Sequence, residues 1–287
     1  MNSNPIFSVI IPTCNRIKLL DKCLKCFEPG SQSLAKEKYE VIVTDDSQQV
    51  DSMEMISASY LWVDWQPGAH NGPATNRNHG AKNAKGEWLI FCDDDCFADS
   101  QMLEAYLKAI ESNPDCQVFE GRIYADRPRR SIAETGPWNE QGGFLWSGNF
   151  AITNNICCSL GGFDERFLYA SMEDVDLRLR LKNSGYDFIF VSSASVVHSW
   201  KIRKNNQQLK QHRVSVLTYL SIHSEELRRI NSFYYLYLIF RNLFKVTIPN
   251  LAKFGFCGAK YEFFEHLSDF KMAFLLINFS IVEKVYR

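Results

Sequence analysis

The sequence lacks long apolar runs. Its 287 residues contain no uninterrupted stretch of the about 18 apolar residues that a membrane-spanning helix needs. The first residues, MNSNPIFSVIIP, have neither a charged region nor a long apolar core, so no signal peptide is expected. Repeats and low-complexity tracts are also absent, which excludes solenoids and disordered linkers. With 46% hydrophobic and 23% charged residues, the composition is that of a globular protein, which we expect to be cytoplasmic.

The sequence also lacks paired cysteine spacing. Of its nine cysteines, only Cys23 and Cys26 stand in a C-x-x-C arrangement, and they lie in a helical-looking stretch without Pro or Gly. An odd, scattered set is typical of reduced thiols in a cytosol, so a disulfide framework is not expected.

The formal net charge is only −1, but it is unevenly distributed. Residues 1–198 hold 18 Lys and Arg against 27 Asp and Glu, whereas residues 199–287 hold 14 against 6. The acidic first part predicts a metal or cationic site, and the basic tail predicts an anionic surface partner. No nucleic-acid partner is expected.

The segment Leu89–Asp95 joins four apolar residues to three adjacent carboxylates. An unbroken apolar run suits a strand buried on both faces of a parallel sheet. Burying three unpaired carboxylates would be very costly, so we expect them at the carboxyl end of the strand, where open α/β sheets bind ligands. Clustered carboxylate oxygens there suit Mg²⁺ or Mn²⁺, whose coordination is usually completed by substrate phosphates.

Two other interpretations fit the same segment. One is an acidic turn after a strand, which is a common feature without function. The other is a calcium loop with Asp93, Asp95, Asp99 and Glu104 at its positions one, three, seven and twelve. However, Ala98 replaces the glycine of such a loop and a strand precedes it, which disfavours calcium.

Strand and helix patterns alternate along the first two-thirds of the chain. Strands are predicted at residues 7–11, 39–43, 60–63, 88–92, 116–124, 188–191 and 195–197, and helices at 17–27, within 72–86, at 100–111 and from 173. Thr13 or Asn15 can cap the first helix. Short connections predict a parallel sheet with helices on both faces. Asp45 and Asp46 also follow a strand, and two acidic strand ends on one sheet edge favour a shared ligand.

The segment 126–143 is polar and long for a loop, which is typical of functional lids and acceptor walls. Its basic run Arg127–Arg130 could meet an anion, although a solvated charge run is the commoner case.

A helix is predicted to begin at Glu173, with Ser171 as its cap. Glu173, Asp174 and Asp176 would then lie in its first turn. These acids could simply complement the helix dipole, which by itself would explain them.

Residues 201–287 have a different character, with long helical patterns at 207–220 and 225–245. Between residues 233 and 244 aromatic side chains are dense, and basic residues lie nearby. Basic amphipathic helices with aromatic faces can lie in a membrane interface. An ordinary helical extension packed on the rest of the chain would show the same pattern, so both interpretations stay open.

The order of the motifs resembles that of the inverting, nucleotide-sugar-dependent glycosyltransferases of family 2. The motifs are Val9–Arg16, Asp45-Asp46, Gly72 with Arg77–Gly80, Gly86, Asp93–Asp95, Gly148-Asn149, Gly162–Asp164, Glu173-Asp174 and His198. The resemblance implies a GT-A fold: an α/β, Rossmann-like, mostly parallel sheet flanked by helices, with a C-terminal helical extension. It also implies a nucleotide-sugar-binding half at 1–99, an acceptor-binding half at 100–200 and the extension at 201–287.

The resemblance further implies roles for single residues. Asp174 would be the catalytic base, and Asp95 and His198 would bind the metal. The nucleotide sugar would be bound by Pro12, Thr13, Asn15, Arg16, Asp45, Arg77, Asp93, Asp94, Gly148, Asn149 and Glu173. Family members commonly carry Gly-Ser after the first Asp pair, where this chain has Ser47-Gln48.

Within this set, Pro12, Thr13 and Asp45 would line the nucleobase pocket. Gly148 and Asn149 would border the donor sugar. The implied activity is a metal-dependent, inverting transfer of a sugar from a nucleotide-diphosphate donor, expected to be a UDP-sugar, to a hydroxyl group of a glycan or lipid-linked glycan. Mn²⁺ or Mg²⁺ would stabilise the leaving diphosphate, and a carboxylate would take the acceptor's proton. Apart from the resemblance, the basic charge and the aromatic helices of residues 201–287 favour a peripheral contact with an anionic membrane, on the inner face of the cell membrane, as one of the two interpretations of this segment.

Two alternative functions can be weighed against this one. A non-catalytic carbohydrate- or nucleotide-sugar-binding relative would be expected to have lost the acidic triplet or Asp174, and neither is lost. A sugar nucleotidyltransferase would need a glycine-rich phosphate loop after the first strand, but Pro12–Arg16 contains no glycine. A polymer-extruding synthase is disfavoured because the chain has no Gln-x-x-Arg-Trp sequence and no spanning helix.

Overall fold

Two units make up the structure, a computed structural model that describes residues 4–49 and 51–286. The sheet unit comprises the described residues up to 127 together with 136–199. The helical unit comprises 128–135 together with the described residues from 200 onward. The three-part functional division at residues 99 and 200 stays a prediction.

Most strands belong to one twisted sheet. The strands of the described residues are, in chain order, β1 (Phe7–Thr13), β2 (Tyr39–Asp45), β3 (Val63–Pro67), β4 (Trp88–Cys92), β5 (Cys96–Ala98), β6 (Val118–Ala125), β7 (Glu134–Thr135), β8 (Asn149–Thr153), β9 (Ile189–His198) and β10 (Lys201–Ile202). All but β7 and β10 belong to the main sheet. The sheet unit contains an eight-stranded sheet in the order β3-β2-β1-β4-β8-β6-β9-β5. The first four of these are parallel, β8 is antiparallel to both neighbours, β9 is parallel to β6, and β5 is antiparallel to β9. The predicted α/β, mostly parallel sheet is therefore confirmed.

Helices flank this sheet and form the other unit. They are α1 (Ile17–Lys25), α2 (Asp51–Ser59), α3 (Pro73–Asn83), α4 (Met102–Ser112), α5 (Asn154–Ser159), α6 (Glu173–Asn183), α7 (Asn206–Ile222), α8 (Ser232–Asn242), α9 (Ile248–Phe254) and α10 (Ala259–Tyr286). α3 lies so close to β1 that a Cβ at Gly80 would come within 2.6 Å of Ile10, so this approach requires glycine. In the described part of the chain, no helix combines the length and the apolar character needed to cross a membrane.

The core explains why the strands have continuous apolar runs. Every residue of β1 and β4 is buried. Val9, Ile11 and Ile90 pack in one cluster with Leu20 and Leu24 of α1. Fully burying each such side chain stabilises the fold by about 1.5–3 kcal/mol. A strand that is covered on both faces needs apolar residues at successive positions, which is the pattern that predicted these strands.

Two helices begin differently from the prediction. α1 follows Arg16, and neither Thr13 nor Asn15 caps it, because its cap position makes no side-chain hydrogen bond. The Thr13 hydroxyl instead donates to a carboxylate at the sheet edge. α6 follows Met172, whose φ of 71° is left-handed, and no side chain caps it. The expected cap at Ser171 is therefore wrong.

Some elements of the sheet unit were not foreseen. α2 and β5 were not predicted, and β3 begins only at Val63, where the predicted strand 60–63 ends. The strand segments predicted at 188–191 and 195–197 form the single strand β9. β5 has three residues, too few to show a period of two, and its pairing with β9 is a contact between distant parts of the sequence.

Part of the predicted lid is fixed inside the helical unit. β7 pairs with β10, and Arg129 in the segment 128–135 donates to the carbonyls of Ser131 and Ile132 at 2.9 and 2.7 Å. Arg129 also donates to the Asn250 side chain at 3.2 Å. The expectation of a solvated charge run is therefore wrong for Arg129.

The helix predicted at 225–245 is interrupted. A 3₁₀ turn at Ser224–Arg228 precedes α8, and a π turn at Leu243–Thr247 follows it. At the end of the π turn, Thr247 is buried and its hydroxyl donates to Glu262 at 2.9 Å. A buried carboxylate needs such a donor, and that tertiary requirement is invisible in the helical periodicity.

Candidate active site

The structure brings the two predicted acidic strand ends together. β1 pairs with β2 on one side and β4 on the other, so their carboxyl ends lie side by side, with Thr13 opposite Asp45. After β4, the N–H of Cys96 donates to the carbonyl of Asp93 at 3.0 Å, which closes a tight turn. The turn holds Asp93–Asp95 next to the end of β1. We call Asp45 and Asp93–Asp95 the acidic edge.

Asp94 is the most deeply buried acid of this edge. It accepts a hydrogen bond from the Thr13 hydroxyl at 2.6 Å and forms an ion pair with Arg16 at 2.7 Å. Burial raises its pKa to about 7, although the charge of Arg16 opposes the rise. Asp94 therefore joins the turn to the end of β1, and its predicted approach to the donor stays a prediction.

Asp95 lies between a cation and an imidazole. Arg16 contacts one of its oxygens at 2.8 Å, and His198 Nε2 lies 3.4 Å from the other. The register of β5 and β9 explains the second contact, because Cys96 pairs with His198 and so places the preceding residue beside it. The sheet pairing thus assembles the two predicted metal ligands from positions that are about one hundred residues apart in sequence.

These two side chains fit a divalent ion. His198 is only 1% exposed, yet neither ring nitrogen makes a hydrogen bond. Burying such a nitrogen without a partner is unfavourable, and a cation would be a partner. Within the described ranges there is no group of three or more His, Cys, Asp or Glu side chains that could hold a metal by themselves. One carboxylate and one imidazole suit an ion that takes its other ligands from water and substrate phosphates.

Arg77 connects the acidic edge to the start of α6. Its side chain is almost fully buried, with Nη2 at 2.7 Å from Asp93 and Nη1 at 3.1 Å from Glu173. The guanidinium also lies over the ring of Phe163, 5.4 Å from its centroid. The planar guanidinium group of Arg77 therefore holds Asp93 and Glu173 together, although these residues are 80 positions apart in the sequence. Whether Arg77 also touches a nucleotide stays a prediction.

The three acids of the first turn of α6 have separate environments. Glu173 is paired with Arg77, and Asp176 is buried and paired with Arg180 at 2.7 Å. Asp174 accepts a hydrogen bond from the N–H of Val175 at 2.8 Å through Oδ1. Of the three acids, Asp174 has no arginine among its hydrogen-bond partners, as a proton acceptor requires.

The ionisation of Asp174 differs from the sequence-based expectation. Acids that only complemented the helix dipole would be stabilised as carboxylates. Instead, burial and then the neighbouring charge of Glu173 raise the pKa of Asp174 to about 7, although Arg77 opposes them. Burial likewise raises the pKa of Glu173. Desolvation outweighs the helix dipole because both carboxyl groups lie away from solvent.

A small pocket of about 110 Å³ lies beside the acidic edge. It is lined by Thr13, Asn15, Arg16, Ile17, Ser47, Gln49, Asp51 and Ser52. Three predicted donor contacts, Thr13, Asn15 and Arg16, are therefore in one pocket wall. Pro12 is a buried residue of β1 and is not part of the lining.

Asp45 supports this pocket from behind. Its carboxylate accepts from the N–H of Ser47 at 2.7 Å and from the hydroxyl of Ser52. Ser47 also accepts from the N–H of Asn15 at 2.6 Å, which ties the ends of β1 and β2 together. The Gly-Ser pair that is common in the family would put a glycine at position 47. In this chain Ser47 supplies a hydroxyl group at that position. Ser52 gave no sequence signal, because α2 was not predicted.

Gly148 lies next to the acidic edge, whereas the side chain of Asn149 lies in the core. A Cβ at Gly148 would lie 3.6 Å from an Asp93 oxygen, so the glycine borders the acidic edge. The Asn149 side chain is fully buried, accepting from the Tyr106 hydroxyl at 2.8 Å and donating to the carbonyls of Arg122 and Ala194 at 3.0 and 2.9 Å. The structure does not bring this side chain to the acidic edge. Successive strand residues point to opposite faces, which explains why adjacent residues separate.

Two further residues near the site were not found from the sequence. Glu120 of β6 is a fully buried carboxylate that accepts from the side chain of Asn139 and from three consecutive backbone N–H groups, those of residues 143–145. Arg178 of α6 donates to the carbonyl of Gly143. Both contacts join segments far apart in the sequence, and neither residue stands in a recognisable motif.

A family model, curated relatives and solved structures match parts of this chain. The family model described as "Glycosyl transferase family 2" matches residues 8–161, which is just over half of the chain. The match includes β1 from Ser8 onward, the acidic edge and Gly148, and it ends before α6.

Curated relatives extend the similarity. The chain is 29% identical over 191 residues to an uncharacterized glycosyltransferase of Haemophilus influenzae, covering 61% of this chain and 62% of that protein. It is 26% identical over 255 residues to validoxylamine A glucosyltransferase of Streptomyces hygroscopicus subsp. jinggangensis, covering 74% and 58%. The chain thus spans less than two-thirds of the length of these relatives.

Solved structures share the fold. Mannosyltransferase PcManGT from Pyrobaculum calidifontis, in complex with GDP-Man and Mn²⁺, matches with a TM-score of 0.59 at 18% identity, covering 78% of this chain and 65% of that one. S. aureus TarS 1-349, in complex with UDP-GlcNAc, matches with a TM-score of 0.56 at 17% identity, covering 83% and 73%. At these identities the likeness concerns the fold alone.

Proposed function

Because the chain belongs to glycosyl transferase family 2, we propose that it transfers a sugar, with inversion, from a UDP-sugar to a hydroxyl group of a glycan or lipid-linked glycan. One observation carries the proposal. Arg77 joins Asp93 of the acidic edge to Glu173, the residue before Asp174, so a donor-binding group and a proton acceptor lie in one site.

The donor side of the proposal uses the pocket and the acidic edge. We assign the nucleobase to the pocket lined by Thr13 and Asn15, with Asp45 behind it. Asp93 and Gly148 would then face the ribose and the donor sugar. The choice of UDP is supported by the TarS structure, which holds UDP-GlcNAc, although the Pyrobaculum mannosyltransferase holds GDP-Man.

Asp95 and His198 are the side chains we assign to a divalent ion, Mn²⁺ or Mg²⁺. When bound, the ion would supply Lewis-acid stabilisation of the negative charge on the leaving diphosphate. Arg16 lies 2.8 Å from Asp95 and is half-exposed, so its guanidinium can also move toward the phosphates.

Asp174 is the proposed base. The N–H of Val175 occupies Oδ1, so Oδ2 is the oxygen that we assign to the acceptor's proton. A base with a pKa near the working pH combines enough ionised form with enough proton affinity. Attack by the acceptor hydroxyl on the face opposite the diphosphate gives a single displacement and hence inversion. A covalent nucleophile is not required.

The acceptor is proposed to be a glycan of the cell envelope. The chain is 31% identical over 138 residues to the poly(ribitol-phosphate) beta-glucosyltransferase of Bacillus spizizenii, which covers 45% of this chain. That name describes the relative, and it supports a polymeric acceptor for this chain.

A thermal-shift screen of UDP, GDP, CDP and ADP, each with Mn²⁺ or with EDTA, tests the donor and metal assignments. We expect UDP with Mn²⁺ to give the largest stabilisation, because Asp95 and His198 would hold the ion and its positive charge favours binding of a diphosphate. Asp95→Ala should remove the dependence on Mn²⁺, whereas Leu61→Ala, an exposed residue before β3, should not. Equal stabilisation by UDP in EDTA would contradict the metal assignment. UDP binding without any hydrolysis of UDP-sugars would favour the non-catalytic relative.

The helical unit is proposed to contact an anionic membrane through an aromatic face. This face consists of Phe233, Tyr237, Phe240 and Phe244 on α8 and the π turn, and of Phe263, Phe270 and Phe274 on α10. Each of these side chains is at least 58% exposed, and α8 packs against α10. Such an exposed apolar surface is uncommon on a monomer that meets only water.

The charge of the helical unit favours lipid over a second copy of the chain. Arg241 and Lys245 follow Phe240 and Phe244 directly and are exposed. A second copy would bring like charges together across the aromatic face, whereas anionic headgroups would neutralise them. The occupant we propose is therefore an anionic bilayer.

A further inference from the structure

A loop of the sheet unit carries a pair of stacked aromatic rings. The loop, residues 136–148, joins the helical unit's β7 to β8. In it the rings of Phe144 and Trp146 are 7° from parallel, with centroids 5.4 Å apart. Phe144 is 43% exposed. A flat aromatic surface is therefore open to solvent on this loop.

Glu120 holds the loop in an uncommon shape. Its buried carboxylate accepts from the N–H groups of Gly143 and Phe144 at 2.6 and 2.7 Å and from that of Leu145. Successive backbone N–H groups that converge on one anion form a nest. Leu145 has a φ of 52°, a left-handed conformation that side chains rarely adopt, and the nest compensates for it. Because such strain persists only where the surroundings fix it, the position of the rings is specified by Glu120.

The loop that carries the rings contacts the helix of the proposed base and ends at the acidic edge. Arg178, which donates to the carbonyl of Gly143, is four residues after Asp174 in α6 and therefore on the same helix face. At the other end of the loop, Gly148 borders Asp93. The loop thus runs from a contact with α6, one helical turn after Asp174, to the acidic edge.

We propose that the Phe144–Trp146 stack is the platform for a pyranose ring of the acceptor glycan. The assignment rests on the proposed function. A pyranose presents a face of C–H groups, which packs on the electron-rich face of an aromatic ring and buries apolar area. A ring bound there would lie on the loop that contacts α6, the helix that carries Asp174. Glu120 is a positioning residue, since it acts through the loop and not on the sugar.

Direct binding tests the platform without needing the donor. The probes are cellobiose, lactose, N,N′-diacetylchitobiose and maltose, measured by saturation-transfer NMR, with the open-chain polyol ribitol as the comparison. We expect at least one disaccharide to bind more tightly than ribitol. Phe144→Ala should weaken that binding by about threefold to tenfold, the usual worth of one ring contact. Phe144→Trp should restore it, and Leu61→Ala should leave it unchanged.

Two outcomes would overturn the platform. One is disaccharide binding that is absent in the parent protein, or equal in Phe144→Ala. The other is binding of ribitol alone, which would assign the site to a linear acceptor. Glu120→Gln should weaken disaccharide binding as Phe144→Ala does, while UDP binding stays normal. The glutamine side chain has one acceptor oxygen and an NH₂ donor, so it cannot accept from all the N–H groups that bind the carboxylate. If UDP-sugars are never hydrolysed but Phe144→Ala still weakens disaccharide binding, the platform stands and the proposed transfer fails.

Discussion

Replacing Asp174 by asparagine is the most direct test of the proposed base. The change keeps the shape of the side chain and its hydrogen bond from the N–H of Val175, but it removes the proton acceptor. General base catalysis is worth about 10²- to 10⁴-fold, so kcat should fall by that factor. UDP affinity should hardly change, because Arg77 binds Glu173 and Asp93 without using the Asp174 side chain as a hydrogen-bond partner.

The raised pKa of Asp174 adds a pH dependence to this test. A base acts in its ionised form, which predominates above its pKa. With a pKa of about 7, only about a tenth of the Asp174 side chains are ionised at pH 6. The rate of the parent enzyme should therefore rise with pH up to about 7 and level off above it. The rate of Asp174→Asn should not show this rise with pH.

Asp176→Asn and Glu173→Gln are the matched controls. Asp176 is buried and paired with Arg180 within α6, so its replacement should lower thermal stability while turnover per folded molecule stays near normal. Glu173→Gln weakens the ion pair with Arg77, and we expect an intermediate loss. Radiolabelled transfer at saturating donor is the assay. Near-normal turnover of Asp174→Asn combined with loss of activity in either control would show that the base is assigned to the wrong acid.

The remaining predictions concern the buried ion pairs of Arg77 and the binding of the helical unit to membranes. Arg77→Lys keeps the charge but cannot reach both carboxylates with a planar fork, so a buried acceptor loses its partner and unfolding in urea should show a loss of about 1–3 kcal/mol. An unchanged free energy of unfolding would mean that the fork is not needed. Flotation at low salt should recover the protein with vesicles that contain phosphatidylglycerol and much less with neutral ones. The double variant Phe240→Ser/Phe244→Ser should lose this recovery, while Leu61→Ser should keep it. Equal recovery with both kinds of vesicle would refute the electrostatic part, and a change from dimer to monomer in the double variant would favour a second copy as the occupant.

The acidic edge could be predicted because its cause is local in the sequence. Val9–Ile11 and Leu89–Cys92 are apolar at successive positions, which indicates strands that are buried on both faces. Carboxylates that directly follow such strands lie at the strand ends, where partners can pair them even when they are buried, and parallel strands place them at the same sheet edge. The structure shows that arrangement, with Thr13 opposite Asp45 and hydrogen-bonded to Asp94.

Other parts of the site depend on contacts that no local pattern contains. Asn149 follows Gly148 in a motif, but its side chain enters the core on the other face of β8 and is occupied by three hydrogen bonds. Glu120 is preceded and followed by ordinary strand residues, and its partners are N–H groups about 25 positions away. The ionisation of Asp174 depends on burial, which the sequence of α6 does not specify.

The charges of the site are not balanced by the protein itself. Two guanidinium groups, those of Arg16 and Arg77, face five carboxyl groups: Asp93, Asp94, Asp95, Glu173 and Asp174. The raised pKa values of Asp94, Glu173 and Asp174 are a consequence, since burial and mutual repulsion make it unfavourable to ionise all five. A diphosphate by itself would add negative charge to this excess, so its binding should require a cation that arrives with it. A divalent ion held by Asp95 and His198 would meet that requirement.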